Sequence, residues 1–110
     1  MSTRPAHPVM WAALVAALGG CAGAGRPARH EIQITAFVYQ PATEPVHPGD
    51  TLVFVNHDAV PHTATASAGA WDTGEIPANA TKKLVVPTGG AGDYKCAFHP
   101  NMHGTLTAAE

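Results

Sequence analysis

Three residues near the end of the chain carry the chemistry. Cys96, His99 and Met102 stand three residues apart within DYKCAFHPNMHGTL, residues 93–106. A thiol, an imidazole and a thioether gathered this closely are donors for a metal ion. Sulfur selects copper, zinc or iron–sulfur centres, and imidazole suits zinc, copper and iron. The count of donors removes several of these. A structural zinc site wants four closed Cys/His ligands. Haem attachment wants Cys-x-x-Cys-His, and an iron–sulfur cluster wants a set of cysteines. Only Cys21 and Cys96 are present. One thiolate, two imidazoles and a weak thioether do suit a trigonal His2Cys copper site with a long axial methionine.

Such a site needs a second histidine. NHDAVPHTAT, residues 56–65, offers His57 and His62. His62 opens a predicted strand after Pro61, whereas His57 ends the preceding strand beside Asp58 and reads as a water-facing loop residue. His62 is therefore the candidate. Read singly, Cys96 is a small buried hydrophobe, His62 a strand-end histidine and Met102 a cap on the core. Only the set of four points to a metal. His30, His47 and His103 are expected to face solvent, and Trp71 and Phe54 to belong to the core.

The elements that must position these residues read as β throughout. EIQITAF, 31–37, alternates apolar and polar with period two. A short strand follows in TEPV, then a turn at His47-Pro48-Gly49-Asp50 and a strand over Thr51–Asn56. PHTATAS, 61–67, is extended; TKKLVVP, 81–87, is a strand closed by Pro87; TGGAG, 88–92, is a tight loop. DYKCAF and GTLTAA supply the last pair. Lys82 and Lys83 mark a solvated strand edge that discourages edge pairing. No stretch sustains a 3.6-residue period, and ten prolines with eleven glycines argue against long helices. About seven to eight short strands in one domain predict an all-β sandwich.

The chain of 110 residues suits a single domain, and its formal net charge of −2 gives no basic patch for nucleic acid. Its first part reads as a leader. Arg4 is a short positive region, VMWAALVAAL, 9–18, an apolar run too short for a stable membrane anchor. Leu18-Gly19-Gly20-Cys21 resembles the lipobox of bacterial lipoproteins, in which the cysteine is lipidated. The alternative is an ordinary secretory signal cut at Ala22–Ala24. The expected organisation is a lipoprotein-type signal peptide over 1–20, a flexible tether over 21–29 and one domain over 30–110. The mature protein is then exported, periplasmic or held at a membrane by lipid on Cys21. Either cleavage leaves Cys96 without an intramolecular partner, and a free thiol in an oxidising compartment is exposed to oxidation unless something holds it.

The order of Pro48-Gly49-Asp50-Thr51, Asn56, Pro61-His62-Thr63, Gly92-Asp93-Tyr94, Cys96, His99-Pro100, Met102 and Gly104 resembles the cupredoxins of the plastocyanin/azurin superfamily, from about residue 31 to 109. The spacing Cys-x2-His-x2-Met is similar to the short ligand loop of the amicyanin-like branch. The resemblance implies a Greek-key sandwich holding one type 1 (blue) copper, with His62, Cys96, His99 and Met102 as ligands. Pro100 pre-sets the turn after His99, and Gly104 lets the chain leave the loop without a side-chain clash. One residue departs from the pattern. Many cupredoxins follow the first histidine ligand with Asn, which braces the ligand loop. Here Thr63 stands there, which leaves the bracing open.

The function implied is one-electron transfer through Cu(I)/Cu(II). His99 would present a ring edge ringed by Pro61, Phe98 and Pro100, where redox proteins dock transiently. The protein is expected to act as a monomer. No acid/base pair or nucleophile–base set indicates an enzyme, and the chain is too short for the further copper centre of a multicopper oxidase or nitrite reductase. Two other readings stand beside this one: an extracytoplasmic copper carrier using the extra histidines, and a metal-free adhesion-like sandwich.

Overall fold

The computed structural model describes residues 26–110. The leader, the Cys21 anchor and the first part of the tether lie outside the described residues. Eight strands follow in chain order: β1 (Arg29–Thr35), β2 (Val38–Gln40), β3 (Thr43–Val46), β4 (Thr51–Asn56), β5 (Thr65–Ala66), β6 (Thr81–Val85), β7 (Gly92–Lys95) and β8 (His103–Ala108). They form two four-stranded sheets, β2-β1-β4-β6 and β3-β8-β7-β5. Each is mixed, because β1 runs parallel to β4 and β3 runs parallel to β8. The all-β sandwich expected from the sequence is the fold observed. Among the described residues no helix is long and apolar enough to cross a membrane.

Period-two alternation makes the core. Ile32 and Ile34 of β1 and Leu52 and Phe54 of β4 point inward from one sheet, and Val46, Tyr94 and Leu106 meet them from the other. Full burial of side chains this size stabilises by about 1.5–3 kcal/mol each. Trp71 and Tyr39 fill the gap as an aromatic cluster with Phe54 and Tyr94. Lys82 and Lys83 lie exposed on the edge strand β6, as the sequence suggested.

Two expectations are corrected. The stretch 31–37 is not one strand: the chain reverses at Ala36 and Phe37, and Thr35 pairs with Val38 across the hairpin. Both turn residues have positive φ, 53° and 63°. Hairpins of this kind ordinarily carry Asn-Gly, so the sequence holds no local stop signal. The second correction is His30, which is not solvent-facing. Its side chain is 14% exposed, with Nδ1 2.7 Å from Glu44 Oε2 and Nε2 2.8 Å from Asp50 Oδ2.

Both imidazole nitrogens thus face carboxylates, which only accept, so the ring is held as an imidazolium. His30 and Glu44 belong to opposite sheets, so the ion pair clamps the sandwich. Burial lowers the His30 pKa, but the bonds and charges of Asp50 and Glu44 outweigh it and raise it. Burial likewise pushes Asp50 up, and the N–H of His47, His30 and the N–H of Ala28 pull it down to about 2. A raised histidine contributes stability fully below its unfolded value of about 6.5 and loses it as pH rises through the folded value. A depressed aspartate contributes above about 3.9 and loses it as pH falls. The clamp is therefore complete from about pH 4 to pH 6.5. Thermal melts of the copper-free protein should show the highest midpoint in that window. His30→Gln should flatten the decline on the alkaline side, and an unchanged decline counts against the clamp.

Candidate metal centre

The loop joining β7 to β8 is built of two consecutive tight turns. His99 N–H donates to Cys96 C=O (3.3 Å) and Met102 N–H donates to His99 C=O (2.9 Å). A third bond, Cys96 N–H to Met102 C=O at 3.3 Å, closes the loop at its base. The three-residue step between the sulfur and nitrogen donors is thus the step of a β-turn. Each turn carries the chain from one donor to the next without leaving the site.

His62 comes from the connection between β4 and β5. It is not the start of a long strand; β5 proper is two residues long. A single antiparallel bridge to Ile76 pins it instead, with N–H···O=C distances of 3.1 and 2.7 Å. The loop before it is braced by Asn56, which is fully buried. Asn56 Nδ2 donates to the carbonyls of Val60, Ile76 and Pro77, and its Oδ1 accepts from Asp58 N–H. Asn56 fell in the sequence pattern, but its bracing role was not legible there.

These supports bring three donors together. Cys96 Sγ lies 3.8 Å from His62 Nδ1 and 3.5 Å from His99 Nδ1, and all three ligand atoms fall within 4.8 Å of one another. Cys96 and His62 are wholly buried, while His99 is half-buried. Bonds of about 2.0 Å to nitrogen and about 2.3 Å to sulfur, set at trigonal angles, separate S from N by about 3.7 Å. The observed distances bracket that value, so the donor set fits one metal ion. A thiolate with two imidazoles and a nearby thioether is the donor chemistry of copper. Met102 is buried and lines an open groove with His99, Phe37, Phe98, Pro100 and Asn101.

Thr63 supplies the brace that the sequence had left open. Its Oγ1 accepts from Ala97 N–H at 2.8 Å and lies 2.9 Å from Thr65 Oγ1, which donates to Asp72 at 3.0 Å. Its N–H points at Cys96 Sγ at 3.3 Å, and its carbonyl accepts from the Tyr39 hydroxyl at 2.5 Å. Thr63→Val keeps the shape and removes the acceptor of the Ala97 N–H. It should cost about 0.5–1.5 kcal/mol in denaturant unfolding of the copper-free protein, and a variant as stable as the parent overturns the bracing role.

Two contributors escaped the sequence reading. Phe37, 45% exposed, sets its ring edge-on against His62 and His99, with centroids 4.9 and 4.8 Å away. Asp58 accepts from His62 Nε2 at 2.8 Å and from the N–H groups of Ala36 and Phe37 at 2.7 and 2.9 Å. Burial pushes the Asp58 carboxyl up, but the bonds from Phe37, His62 and Ala36 outweigh it and hold it below the usual carboxylate range. The other histidines stand apart. His57 is exposed and meets Gln33, His47 is exposed, and His103 is exposed on β8.

A family model described as the cupredoxin-like domain matches residues 8–108. Among solved structures, an oxidised methionine-to-leucine variant of amicyanin superposes with a TM-score of 0.62 at 24% identity, over 72% of this chain and 80% of that one. A reduced proline-to-phenylalanine variant of amicyanin gives 0.59 at 26% identity, over 73% and 81%. A copper-containing nitrite reductase from Thermus scotoductus SA-01 gives 0.63 at 20% identity, over 77% of this chain but 23% of that one. No curated protein matches the chain.

Proposed function

The chain belongs to the cupredoxin-like family, and we propose on that premise that it is a one-electron carrier with a type 1 copper held by His62, Cys96 and His99, and axially by Met102. The observation that carries this is the buried Cys96 sulfur set between two imidazole Nδ1 atoms at 3.5 and 3.8 Å. Copper bound there supplies a couple between Cu(I) and Cu(II). The residues supply rigidity. The double turn, the Ile76 bridge and the Thr63 brace hold the donors in place, so a change of charge demands little movement.

His99 is the exit. Alone of the three clustered donors it is not fully buried, and Phe37, Phe98 and Pro100 form an apolar rim beside it. A small apolar patch suits brief docking of redox proteins, whose interfaces fall below about 1,200 Å². The copper-carrier reading draws on extra histidines, but His57, His47 and His103 lie outside the clustered donors. Export, with Cys21 as a lipid anchor, completes the proposal; mass spectrometry of the mature N-terminus tests it.

The deciding experiment is the visible and electron paramagnetic spectrum of the Cu(II) protein. An intense thiolate-to-copper band with narrow hyperfine splitting is expected, and its absence ends the type 1 reading. Repeated reduction and reoxidation without copper loss is expected of a carrier of electrons. Loss of copper on reduction favours a carrier of copper.

A further inference from the structure

We propose that Asp58 is a positioning residue that joins the buried ligand His62 to the Ala36–Phe37 turn, so that one carboxylate sets both the donor strength of the imidazole and the aromatic cover over the centre. The inference rests on the copper reading of the site.

Three N–H groups converge on this side chain: His62 Nε2 on Oδ2, Ala36 N on Oδ1 and Phe37 N on Oδ2. An ionised carboxylate only accepts, so His62 carries its proton on Nε2. Its Nδ1 lone pair is then free, and Nδ1 is the atom that faces Cys96 Sγ. A carboxylate behind a ligating imidazole fixes its tautomer and makes it a stronger donor.

The same carboxylate explains the turn. Ala36 and Phe37 both occupy the left-handed region without being glycine, a strained conformation that persists only where its surroundings hold it. Successive backbone N–H groups in such a conformation form a concavity that binds an anion, and Asp58 is that anion. Asn56 holds Asp58 from behind by accepting its N–H at 2.9 Å. The turn in turn seats Phe37 against both imidazoles, at interplanar angles of 85° and 89°. The ring keeps water from the imidazole faces and stays exposed enough to meet a partner.

The experiment uses three proteins. In copper-free wild type, at a pH where the imidazole is neutral, 15N NMR should find His62 protonated at Nε2 and bare at Nδ1. The opposite tautomer overturns the proposal, and this reading needs no variant to fold. Asp58→Asn keeps the shape and removes the charge. In the copper-free variant, amide exchange at Ala36 and Phe37 should accelerate at least tenfold. In the copper-loaded variant the Cu(I)/Cu(II) balance should move at least tenfold toward Cu(I), a rise of about 59 mV for one electron. Phe37→Asn tolerates the turn and removes the ring. Its copper should pass to a chelator several-fold faster, with the potential shifted less than in Asp58→Asn. Unchanged exchange and potential in Asp58→Asn, or unchanged copper release in Phe37→Asn, overturns the proposal. A wild type without the thiolate band instead overturns the copper reading, while the tautomer and exchange data still judge Asp58.

Discussion

Cys96→Ser is expected to abolish the visible absorption of the copper-loaded protein and to leave the copper-free fold standing. Cys96 is fully buried, and its sulfur faces both imidazole nitrogens. Serine is close in shape, and its oxygen can still accept from Thr63 N–H, which reaches Sγ at 3.3 Å. The copper-free melting temperature should therefore change little. What is lost is the soft, charged donor. A hydroxyl is a poor copper ligand and has no thiolate electrons to give a charge-transfer band. Copper-linked stability goes with it. A ligand at a hundred times its Kd stabilises by about 2.7 kcal/mol and at a thousand times by about 4.1 kcal/mol. Differential scanning calorimetry with and without copper should show that increment in the parent and almost none in the variant. An equal copper-induced rise in both proteins would falsify the assignment of Cys96 as a ligand.

Gly104→Ala should be the costliest single methyl in the domain. Gly104 lies opposite Tyr94 across the β7–β8 ladder. A Cβ there would sit 2.2 Å from Tyr94 Cζ, 2.4 Å from its hydroxyl oxygen and 2.6 Å from Cε1. The Tyr94 ring cannot swing aside. It is fully buried and packed on Tyr39, Trp71 and Phe54, with centroids 4.7, 5.4 and 5.8 Å away. Overpacking of this kind costs about 1–3 kcal/mol, occasionally more. About 3 kcal/mol is the expected value, because the ring must displace other aromatics. In a domain this size that lowers the melting temperature by about 12–24 °C. Tyr94→Phe is the contrast. The Tyr94 hydroxyl is buried with no hydrogen-bond partner among the described residues, so removing it should be neutral or slightly stabilising. Urea unfolding of both copper-free variants measures the difference. Near-equal stability of Gly104→Ala and the parent means that the strands adjust more easily than close packing allows.

The donor loop was legible because its geometry is local. Three residues per step is the reach of one β-turn, so Cys96, His99 and Met102 announced a site before any fold was known. β4 was legible for a similar reason: Thr51–Asn56 is a short β-rich run with turn residues on both sides. Gly104 was read correctly as a place without room for a side chain, although the residue filling the space, Tyr94, could not be named. The hairpin at Ala36–Phe37 was missed because neither residue is a turn former. The anion that holds the turn sits over twenty positions later, at Asp58. His30 was misread because a lone histidine near a strand start carries no mark of the two carboxylates that will enclose it.

The sequence by itself determined the class of fold and the types of side chain that cluster, and it singled out His62, not His57, as the histidine that lies with Cys96 and His99. Alternation of apolar residues, turn chemistry and the spacing of donors all act over a few bonds, and the chain writes them in order. The tertiary structure alone decided how those donors are held. Thr63 bracing Ala97, Asp58 reaching both His62 and the Phe37 turn, and Tyr94 lying over Gly104 are contacts between opposed strands and loops. Their partners are chosen by strand register and sheet packing, which depend on the whole core at once.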